Sequence, residues 1–304
     1  MSLAGAKKSR WSEYYAKFPC FSEERVRDGC HPYKFIHSGG AEKAIVLVHG
    51  LSDSPYYLRT IADFFYSQLG YNVYLPLLQC HGLKEPEGMA GVSFEAWKEN
   101  VAFAVHEASC SSGALSIGGL SMGGTLSFLQ ACSNQIITGE LYLFSGAFGL
   151  NEGAFGIVGW AKEILLRSPL TLLAKSSESL IGPDPFRYDR VSLNSAKELS
   201  FLIQEAQALM DDFEWEDFAP KRVFLASTEH DEVVSLRAME RLKKVVGEER
   251  CRQYSIPENE GVDHASVVLE KDIQGVGSDG TLQILERGNP HLPAILDAIR
   301  EFQA

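Results

Sequence analysis

Apolar and polar residues follow one another along the chain with two different periods. Short β-branched runs bounded by turn residues predict buried strands, whereas apolar residues three and four positions apart predict amphipathic helices. The predicted strands lie at 43–50, 71–78, 113–120, 140–146, 222–228 and 252–257. The predicted helices lie at 54–70, 93–109, 122–133, 192–210, 235–247 and 291–302. This alternation predicts an α/β fold with a doubly wound, mostly parallel sheet that is covered on both faces.

One long segment interrupts the alternation. Residues 148–220 contain no convincing strand, and SLNSAKELSFLIQEAQALM (192–210) is their clearest helix. An excursion of this length inside a compact domain is usually functional. We therefore expect a single domain over residues 1–304, with a helical cap inserted at about 148–220 above the carboxyl ends of the strands.

Composition and charge narrow the class of protein. The chain has 304 residues, of which 45% are hydrophobic and 22% are charged, an ordinary balance for a globular domain. Its formal net charge of −12 disfavours nucleic acid and anionic membrane surfaces as partners. No apolar run approaches the length of a membrane span, so we expect no integral membrane segment. The sequence does not indicate an oligomeric state.

The six cysteines are scattered, without C-x-x-C pairs or zinc-ligand spacing. This pattern favours free thiols and a cytoplasmic location. If the protein is exported instead, Cys20 and Cys30 could close a small loop. The histidines have no metal-ligand partners at useful spacing, so no metal or organic cofactor is implied.

GGLSMGG (118–124) places one serine among four glycines at the end of a predicted strand. Residues 119–123 fit G-x-S-x-G, which is typical of a nucleophile elbow when it joins a strand to a helix. Open α/β sheets bind ligands at the carboxyl ends of their strands. We therefore predict that Ser121 is a nucleophile and that the amide of Met122 faces the same place. The alternative is a glycine-rich turn that only packs a helix on a strand.

A serine nucleophile needs a base, and that base needs an orienting acid. TEHDEVV offers three acids after the strand at 222–228, namely Glu229, Asp231 and Glu232, and chain order does not choose among them. His264 follows the next strand and is the only histidine between that acid loop and the last helix. The order serine, acid, histidine is the one that accompanies a G-x-S-x-G nucleophile elbow.

Of two further glycine-containing motifs, we assign one to the predicted site and the other to a loop. VHGLSDSP (48–55) follows the first predicted strand, so the amide of Leu51 is a second candidate donor to an oxyanion. We interpret His49 as a histidine that hydrogen-bonds its own loop. GVGSDG (275–280) matches G-x-G-x-x-G, but the sequence after it looks extended rather than helical, so we interpret it as a loop and not as a dinucleotide site.

Five motifs occur in a characteristic order over residues 40–270: HGLSDSP, LLQCHG, GLSMGG, TEHDEVV and DHASVVLE. Together they resemble the α/β-hydrolase family, in particular its carboxylesterases and monoacylglycerol lipases. The resemblance implies an α/β-hydrolase fold in which the inserted segment is a cap or lid. It also implies a catalytic triad of Ser121, Asp231 and His264, and an oxyanion hole formed by the amides of Leu51 and Met122.

The chain departs from this family after the histidine. Relatives pass quickly into the last helix, whereas here residues 267–290 intervene. SVVLEKDI and GTLQILE are expected to form an added hairpin, and the sequence does not indicate its purpose.

These motifs predict a serine hydrolase that cleaves carboxylic esters through an acyl-enzyme. The expected substrates are short or medium acyl esters or monoacylglycerol-like lipids, with apolar residues between 155 and 166 lining part of the acyl site. One alternative is a thioesterase or peptidase of the same fold. Another is a non-catalytic member that binds a small ligand in the same pocket.

Overall fold

The computed structural model describes residues 6–85, 91–151, 181–216, 218–277 and 280–304. Its strands are β1 (Ala6–Arg10), β2 (Tyr33–His37), β3 (Lys43–Val48), β4 (Asn72–Leu75), β5 (Ala114–Leu120), β6 (Leu141–Phe144), β7 (Val223–Thr228), β8 (Cys251–Ile256), β9 (Ile273–Val276) and β10 (Leu282–Glu286). Its α-helices are α1 (Ser12–Lys17), α2 (Arg59–Ser67), α3 (Phe94–Ser109), α4 (Met122–Ser133), α5 (Leu193–Asp211), α6 (Leu236–Val246) and α7 (Leu292–Gln303). Strands and helices alternate from β3 to β8, as the apolar pattern predicts.

Eight of these strands form one sheet in the order β1-β2-β4-β3-β5-β6-β7-β8. Neighbours from β4 across to β8 are parallel, whereas β2 pairs with β4, and β1 with β2, in antiparallel fashion. The prediction of a mostly parallel, doubly wound sheet is confirmed. The apolar pattern does not predict the antiparallel edge, because β2 buries only Phe35 and therefore lacks an apolar run.

The core lies in two layers, one on each face of the sheet. Successive residues of a strand point to opposite faces, so Val46 and Val48 join the layer beneath α3, α4 and α5. Ile45 and Leu47 join the other layer, beneath α2 and α7. All four side chains are fully buried, which explains why β3 is a continuous apolar run rather than an alternating one.

The first connection along the parallel sheet differs in detail from its predicted helix at 54–70. Pro55–Leu58 forms a 3-10 turn, and the α-helix begins only at Arg59 and ends at Ser67. The helix predicted at 93–109 is found at Phe94–Ser109, and Ser93 caps it, because the Ser93 side chain accepts a hydrogen bond from the Ala96 amide at 3.3 Å.

Only part of the predicted cap at 148–220 belongs to the described structure. Residues 152–180, with the apolar residues between 155 and 166, lie outside it. Helix α5, from the second half of the segment, packs against α3 and α4. The organisation as one domain with an inserted cap stays a prediction.

The added hairpin between the histidine loop and α7 is formed by β9 and β10. Its first strand begins at Ile273, later than SVVLEKDI suggests, because residues 265–268 form a 3-10 turn. The GVGSDG segment starts inside β9, and the next described element after it is the strand β10 rather than a helix.

None of the helices in the described ranges is both long enough and apolar enough to cross a bilayer. No two of the six cysteines, all of which lie in the described ranges, form a disulfide bond.

Candidate active site

Ser121 occupies the tight turn between β5 and α4, with φ of 54° and ψ of −120°. A positive φ is strained for a residue with a side chain and persists only where the surroundings enforce it. Here the end of β6 does so, because the Ser121 amide donates to Phe144 O at 2.9 Å and the Ala147 amide donates to Ser121 O at 3.1 Å. The residue is 8% exposed.

The glycines on either side of Ser121 allow the turn to lie against β3. A Cβ at Gly123 would collide with the carbonyl oxygen of Val48, and one at Gly119 would collide with the carbonyl of Gly123. Backbone cannot move aside as a flexible side chain can. The G-x-S-x-G pattern is therefore a packing requirement of this turn.

Asp231 and His264 are in direct contact, although 33 positions separate them in sequence. The loop after β7 carries the aspartate, and the turn after β8 carries the histidine. His264 Nδ1 donates to Asp231 Oδ2 at 2.6 Å. The other carboxylate oxygen, Oδ1, accepts from the amides of Val233 and Val234, both at 2.9 Å. These contacts fix the orientation of the carboxylate and place the proton of a neutral imidazole on Nδ1.

The other two acids of the β7 loop point elsewhere. Glu229 accepts hydrogen bonds from Ser255 Oγ at 3.2 Å and from the Glu258 amide at 3.4 Å, and its side chain is exposed. Glu232 is also exposed. Among the three acids of this loop, Asp231 is therefore the one that the structure places in hydrogen-bond contact with His264.

His264 Nε2, the free nitrogen of the ring, is buried and has no hydrogen-bond partner among the described residues. Within the same residues, no hydrogen bond joins it to Ser121 Oγ. Hydrogen bonds of this kind are often long in structures without substrate and shorten when a substrate binds.

The loop after β3 lies directly beside Ser121. A Cβ on Gly50 would come within 3.2 Å of Ser121 Cβ, so glycine permits this approach. The loop is a tight turn in which the Asp53 amide donates to Gly50 O at 3.3 Å. The amides of Leu51 and Met122 donate to no acceptor in the described part of the chain.

His49 hydrogen-bonds its own loop, as predicted, and also contacts the segment after β4. Its Nδ1 donates to Gly50 O at 2.9 Å, and its Nε2 accepts from the Leu78 amide at 3.1 Å. Complete burial lowers the pKa of this imidazole well below its usual value. Burial also lowers the pKa of the neighbouring His81 to about 4, so both rings are neutral and structural at pH 7.

A cavity of about 230 Å³ lies against His264. Its walls come from the β7 loop, the histidine turn, the segment before α5 and the β9–β10 hairpin. The lining residues are Arg187, His230, Glu232, Val233, Asp263, His264, Ala265, Leu285 and Glu286. Charged and polar side chains therefore outnumber apolar ones around this cavity. No group of three or more histidine, cysteine or acidic side chains in the described ranges is arranged to hold a metal ion.

Arg187 links two acidic residues at this end of the sheet, and we call Asp53, Arg187 and Glu286 the Arg187 cluster. Arg187 Nη1 pairs with Glu286 Oε1, and its Nε lies 3.6 Å from Asp53 Oδ1. The three residues come from three distant segments, so no local sequence pattern reveals the cluster. Asp53 alone has a sequence signal, because it stands in the HGLSDSP motif.

Burial raises the pKa of Asp53 from 3.8 to about 6, against the opposing effects of Arg187 and His264. Burial raises the pKa of Glu286 as well, and Arg187 again opposes the shift. The pairing with arginine thus only partly replaces the hydration that each carboxylate loses.

Asp53→Asn is therefore expected to stabilise the fold at neutral pH. A carboxyl group whose pKa is raised on folding makes its full contribution to folding stability below its unfolded pKa. That contribution is lost as the pH rises through the pKa of the folded state. A shift of about two pKa units corresponds to roughly 3 kcal/mol. We expect the free energy of unfolding of Asp53→Asn to exceed that of the wild type by up to this amount above about pH 7, with no difference below about pH 4.

Urea unfolding across this pH range measures the difference. The exposed Asp297, which pairs with Arg300 on the surface of α7, provides the control, and Asp297→Asn should give no such pH-dependent gain. A parallel stability profile for Asp53→Asn and the wild type would contradict the assignment of a raised Asp53 pKa.

The sequence of this chain matches one known family profile. The sequence profile described as "Alpha/beta hydrolase family" matches residues 45–276. A search of curated proteins gave no significant match. The match to the profile spans the β3 loop, the serine turn, the β7 loop and the histidine turn.

Several solved structures share the fold at low sequence identity. The metagenome-derived lipolytic enzymes LipS and LipT give a TM-score of 0.64 at 18% identity, covering 91% of this chain and 98% of theirs. The monoacylglycerol lipase of Paleococcus ferrophilus gives 0.58 at 17% identity, covering 90% and 97%. A thioesterase domain from the curacin biosynthetic pathway gives 0.56 at 12% identity, covering 87% and 95%. Identities this low indicate a common fold and leave the substrate open.

Proposed function

Because this chain belongs to the alpha/beta hydrolase family, we propose that it is a serine hydrolase that cleaves carboxylic esters through an acyl-enzyme. The observation that carries the proposal is the 2.6 Å hydrogen bond from His264 Nδ1 to Asp231 Oδ2. It prepares an imidazole whose other nitrogen is free to act as a base, in a fold that presents Ser121 on a strained turn.

In the proposed reaction, His264 Nε2 removes the proton of Ser121 Oγ as that oxygen attacks the ester carbonyl carbon. The imidazole becomes positively charged, and the Asp231 carboxylate stabilises that charge and maintains the orientation of the ring. The carbonyl oxygen becomes an oxyanion and accepts hydrogen bonds from the amides of Leu51 and Met122. Such donors, fixed before the reaction begins, stabilise the transition state more than the substrate.

The tetrahedral intermediate collapses when His264 gives its proton to the leaving alcohol. The acyl group remains on Ser121 as an ester. A water molecule then attacks this acyl-enzyme, with His264 first accepting the proton of the water and then returning a proton to Ser121 Oγ. The products are a carboxylic acid and an alcohol, and the reaction requires no metal or organic cofactor.

The cavity beside His264 suggests which alcohol is released. The leaving oxygen must lie near His264, and the nearby cavity is lined by the carboxylates of Glu232, Asp263 and Glu286. Carboxylates accept hydrogen bonds from hydroxyl groups, so this cavity suits a small polyol such as glycerol better than an aliphatic alcohol. It also disfavours anionic leaving groups such as the phosphorylated carrier of an acyl thioester. We therefore place monoacylglycerol-like esters first among the substrates.

A panel of esters tests the proposal. With p-nitrophenyl esters from acetyl to palmitoyl, we expect kcat/KM to rise over the first several carbons, because each buried methylene contributes about 0.8 kcal/mol, and then to fall. At the preferred acyl length, the glycerol monoester should be cleaved about tenfold more efficiently than the butyl ester, because hydrogen bonds to charged groups contribute roughly 1.5–3 kcal/mol. Steady-state rates of acid release give both comparisons.

The same panel of substrates also tests the alternative functions. An acyl thioester and an aminoacyl amide with the preferred acyl length are included, together with a Ser121→Ala control that measures background hydrolysis. Preference for the thioester or the amide over every ester would assign the protein to another class of hydrolase. Saturable binding of an ester without turnover would favour a non-catalytic member of the fold.

A further inference from the structure

A β-bulge in the added hairpin turns Glu286 toward the candidate active site. Ile284 pairs with Gln274, but Glu286 pairs with Ile273, so Leu285 is an extra residue in β10. In a regular strand, Glu286 would share the face of Ile284, which is 51% exposed. The bulge moves it to the inner face, where its side chain is only 15% exposed. Bulges are frequent beside active sites, where they re-aim a single side chain.

Glu286 makes two contacts from this inward position. Its Oε2 accepts a hydrogen bond from Ser266 Oγ at 3.2 Å, and its Oε1 pairs with Arg187. Ser266 lies two residues after His264 in the same turn and is 1% exposed. The Ser266 amide donates to Asp263 O at 3.1 Å, so the hydroxyl belongs to the turn that carries the histidine.

The base of the hairpin holds the end of the same turn. The Asn289 side chain donates to Val267 O at 2.8 Å, and its amide donates to Leu269 O, also at 2.8 Å. Asn289 is itself buried. The hairpin therefore contacts the histidine turn at two places, through Glu286 near its start and through Asn289 near its end.

Arg187 extends this connection to the loop beside Ser121. Its side chain lies between Glu286 and Asp53, and Asp53 ends the turn that begins at Gly50. Arg187 is itself held in place, because its amide and that of Phe186 donate to Asp184 Oδ1. One arginine thus joins the histidine turn to the loop that carries the Leu51 amide.

We propose that Glu286, turned inward by the bulge in β10, is a positioning residue that fixes the His264 turn through Ser266 and ties it to the Leu51 loop through Arg187. The proposal rests on the proposed function. It assigns a role to the added hairpin, which is to hold the base and the oxyanion loop in one geometry. Displacement of a catalytic group by about 1 Å can lower a rate about 100-fold, so such support has a measurable effect.

The chain contains a matched control for this contact. Glu140, at the amino end of β6, accepts from Ser116 Oγ at 3.2 Å and pairs with Arg222 at 3.3 Å. Its side chain is 17% exposed, close to the 15% of Glu286. Both glutamates thus have one serine and one arginine partner, but Glu140 lies at the end of the sheet opposite Ser121.

Kinetics of Glu286→Ala, Glu140→Ala and the wild type with the preferred p-nitrophenyl ester, whose leaving group is not a polyol, test the proposal. We expect Glu286→Ala to lower kcat about 10- to 100-fold with KM within about threefold of the wild type, whereas Glu140→Ala leaves kcat within about twofold. Glu286→Gln retains an oxygen that can accept from Ser266 and should restore part of the loss. Ser266→Ala should also lower kcat. The double variant that combines Ser266→Ala with Glu286→Ala should have a kcat no lower than that of Glu286→Ala alone.

Several results would overturn the proposal: an unchanged kcat in Glu286→Ala, a change confined to KM, an equal loss in Glu140→Ala, or multiplicative effects of Ser266→Ala and Glu286→Ala. If Glu286→Ala does not fold, Ser266→Ala decides, since it removes only the hydroxyl, and an unchanged kcat there also overturns it.

A spectroscopic measurement separates this proposal from the proposed function. The proton on His264 Nδ1 should give a low-field NMR resonance that Glu286→Ala broadens or shifts and Glu140→Ala does not. An unchanged resonance in Glu286→Ala would contradict the positioning role even for a protein that hydrolyses no ester. Absence of ester hydrolysis by the wild type, with the resonance responding as expected, would contradict the proposed function alone.

Discussion

Ser121→Ala is expected to lower kcat for ester hydrolysis by roughly 10⁵- to 10⁶-fold, because the members of a catalytic triad act as a unit. Without the hydroxyl, no acyl-enzyme can form, and the remaining rate reflects water attack beside the oxyanion-hole amides. Covalent labelling gives a second measurement. A fluorophosphonate should add once to the wild-type protein, with peptide mapping placing the adduct at Ser121, and should not add to the variant.

Ser145 offers a matched control for this substitution. It is a buried serine directly after β6, the strand next to β5, and it also has a positive φ, of 44°. Ser145→Ala should keep kcat within about tenfold of the wild type and should still be labelled once. Labelling at a serine other than Ser121, or full activity in Ser121→Ala, would refute the assignment.

Asp231→Asn is expected to lower kcat by roughly 10⁴-fold, the loss that follows removal of the orienting carboxylate in such triads. The structure explains why the amide cannot substitute. Two backbone amides, of Val233 and Val234, donate to Asp231 Oδ1, so the oxygen of an asparagine would stay there. Its NH₂ group would then face His264 Nδ1, and the ring proton would move to Nε2, where the base is needed. Stopped-flow or steady-state hydrolysis of the preferred p-nitrophenyl ester measures the loss.

The other two acids of the β7 loop are the controls for Asp231. Glu229 hydrogen-bonds Ser255 and the Glu258 amide on the surface, so Glu229→Gln should leave kcat within a few-fold of the wild type. Glu232→Gln should also be mild in kcat, although it can raise KM for a polyol ester because Glu232 lines the cavity. A severe loss of kcat in Glu229→Gln together with a mild one in Asp231→Asn would reverse the assignment.

The sequence predicts the parts of the fold that are determined locally. β3 and β5 are apolar runs bounded by glycine, and the glycines around Ser121 are needed where the turn meets Val48. Each of these requirements acts over a few neighbouring residues, so it is visible in the sequence pattern. The choice of Asp231 among three acids is not visible there, because it depends on which carboxylate the turn after Thr228 directs toward His264.

Contacts between distant segments leave no comparable pattern in the sequence. The Arg187 cluster joins residues from positions 53, 187 and 286, and the bulge that turns Glu286 inward has no characteristic residue pattern. The antiparallel pair β1 and β2 is hidden for a related reason. These strands lie at an edge of the sheet, and β2 buries only Phe35, so its sequence resembles that of a loop.

The order of strands in the sheet gives the two halves of the site unequal resistance to local unfolding. Ser121 follows β5, which is flanked on both sides by parallel strands, whereas His264 follows β8, whose one partner among the described strands is β7. Peripheral strands open with a smaller free energy than central ones, often as a cooperative unit with the elements packed on them. Opening of β8 would remove the base while β5 and its serine remain folded. For a hydrolase that uses His264 as its base, as we propose, activity is therefore expected to be lost on heating below the midpoint of global unfolding, at a temperature set by the stability of the β8 edge and the hairpin that supports it.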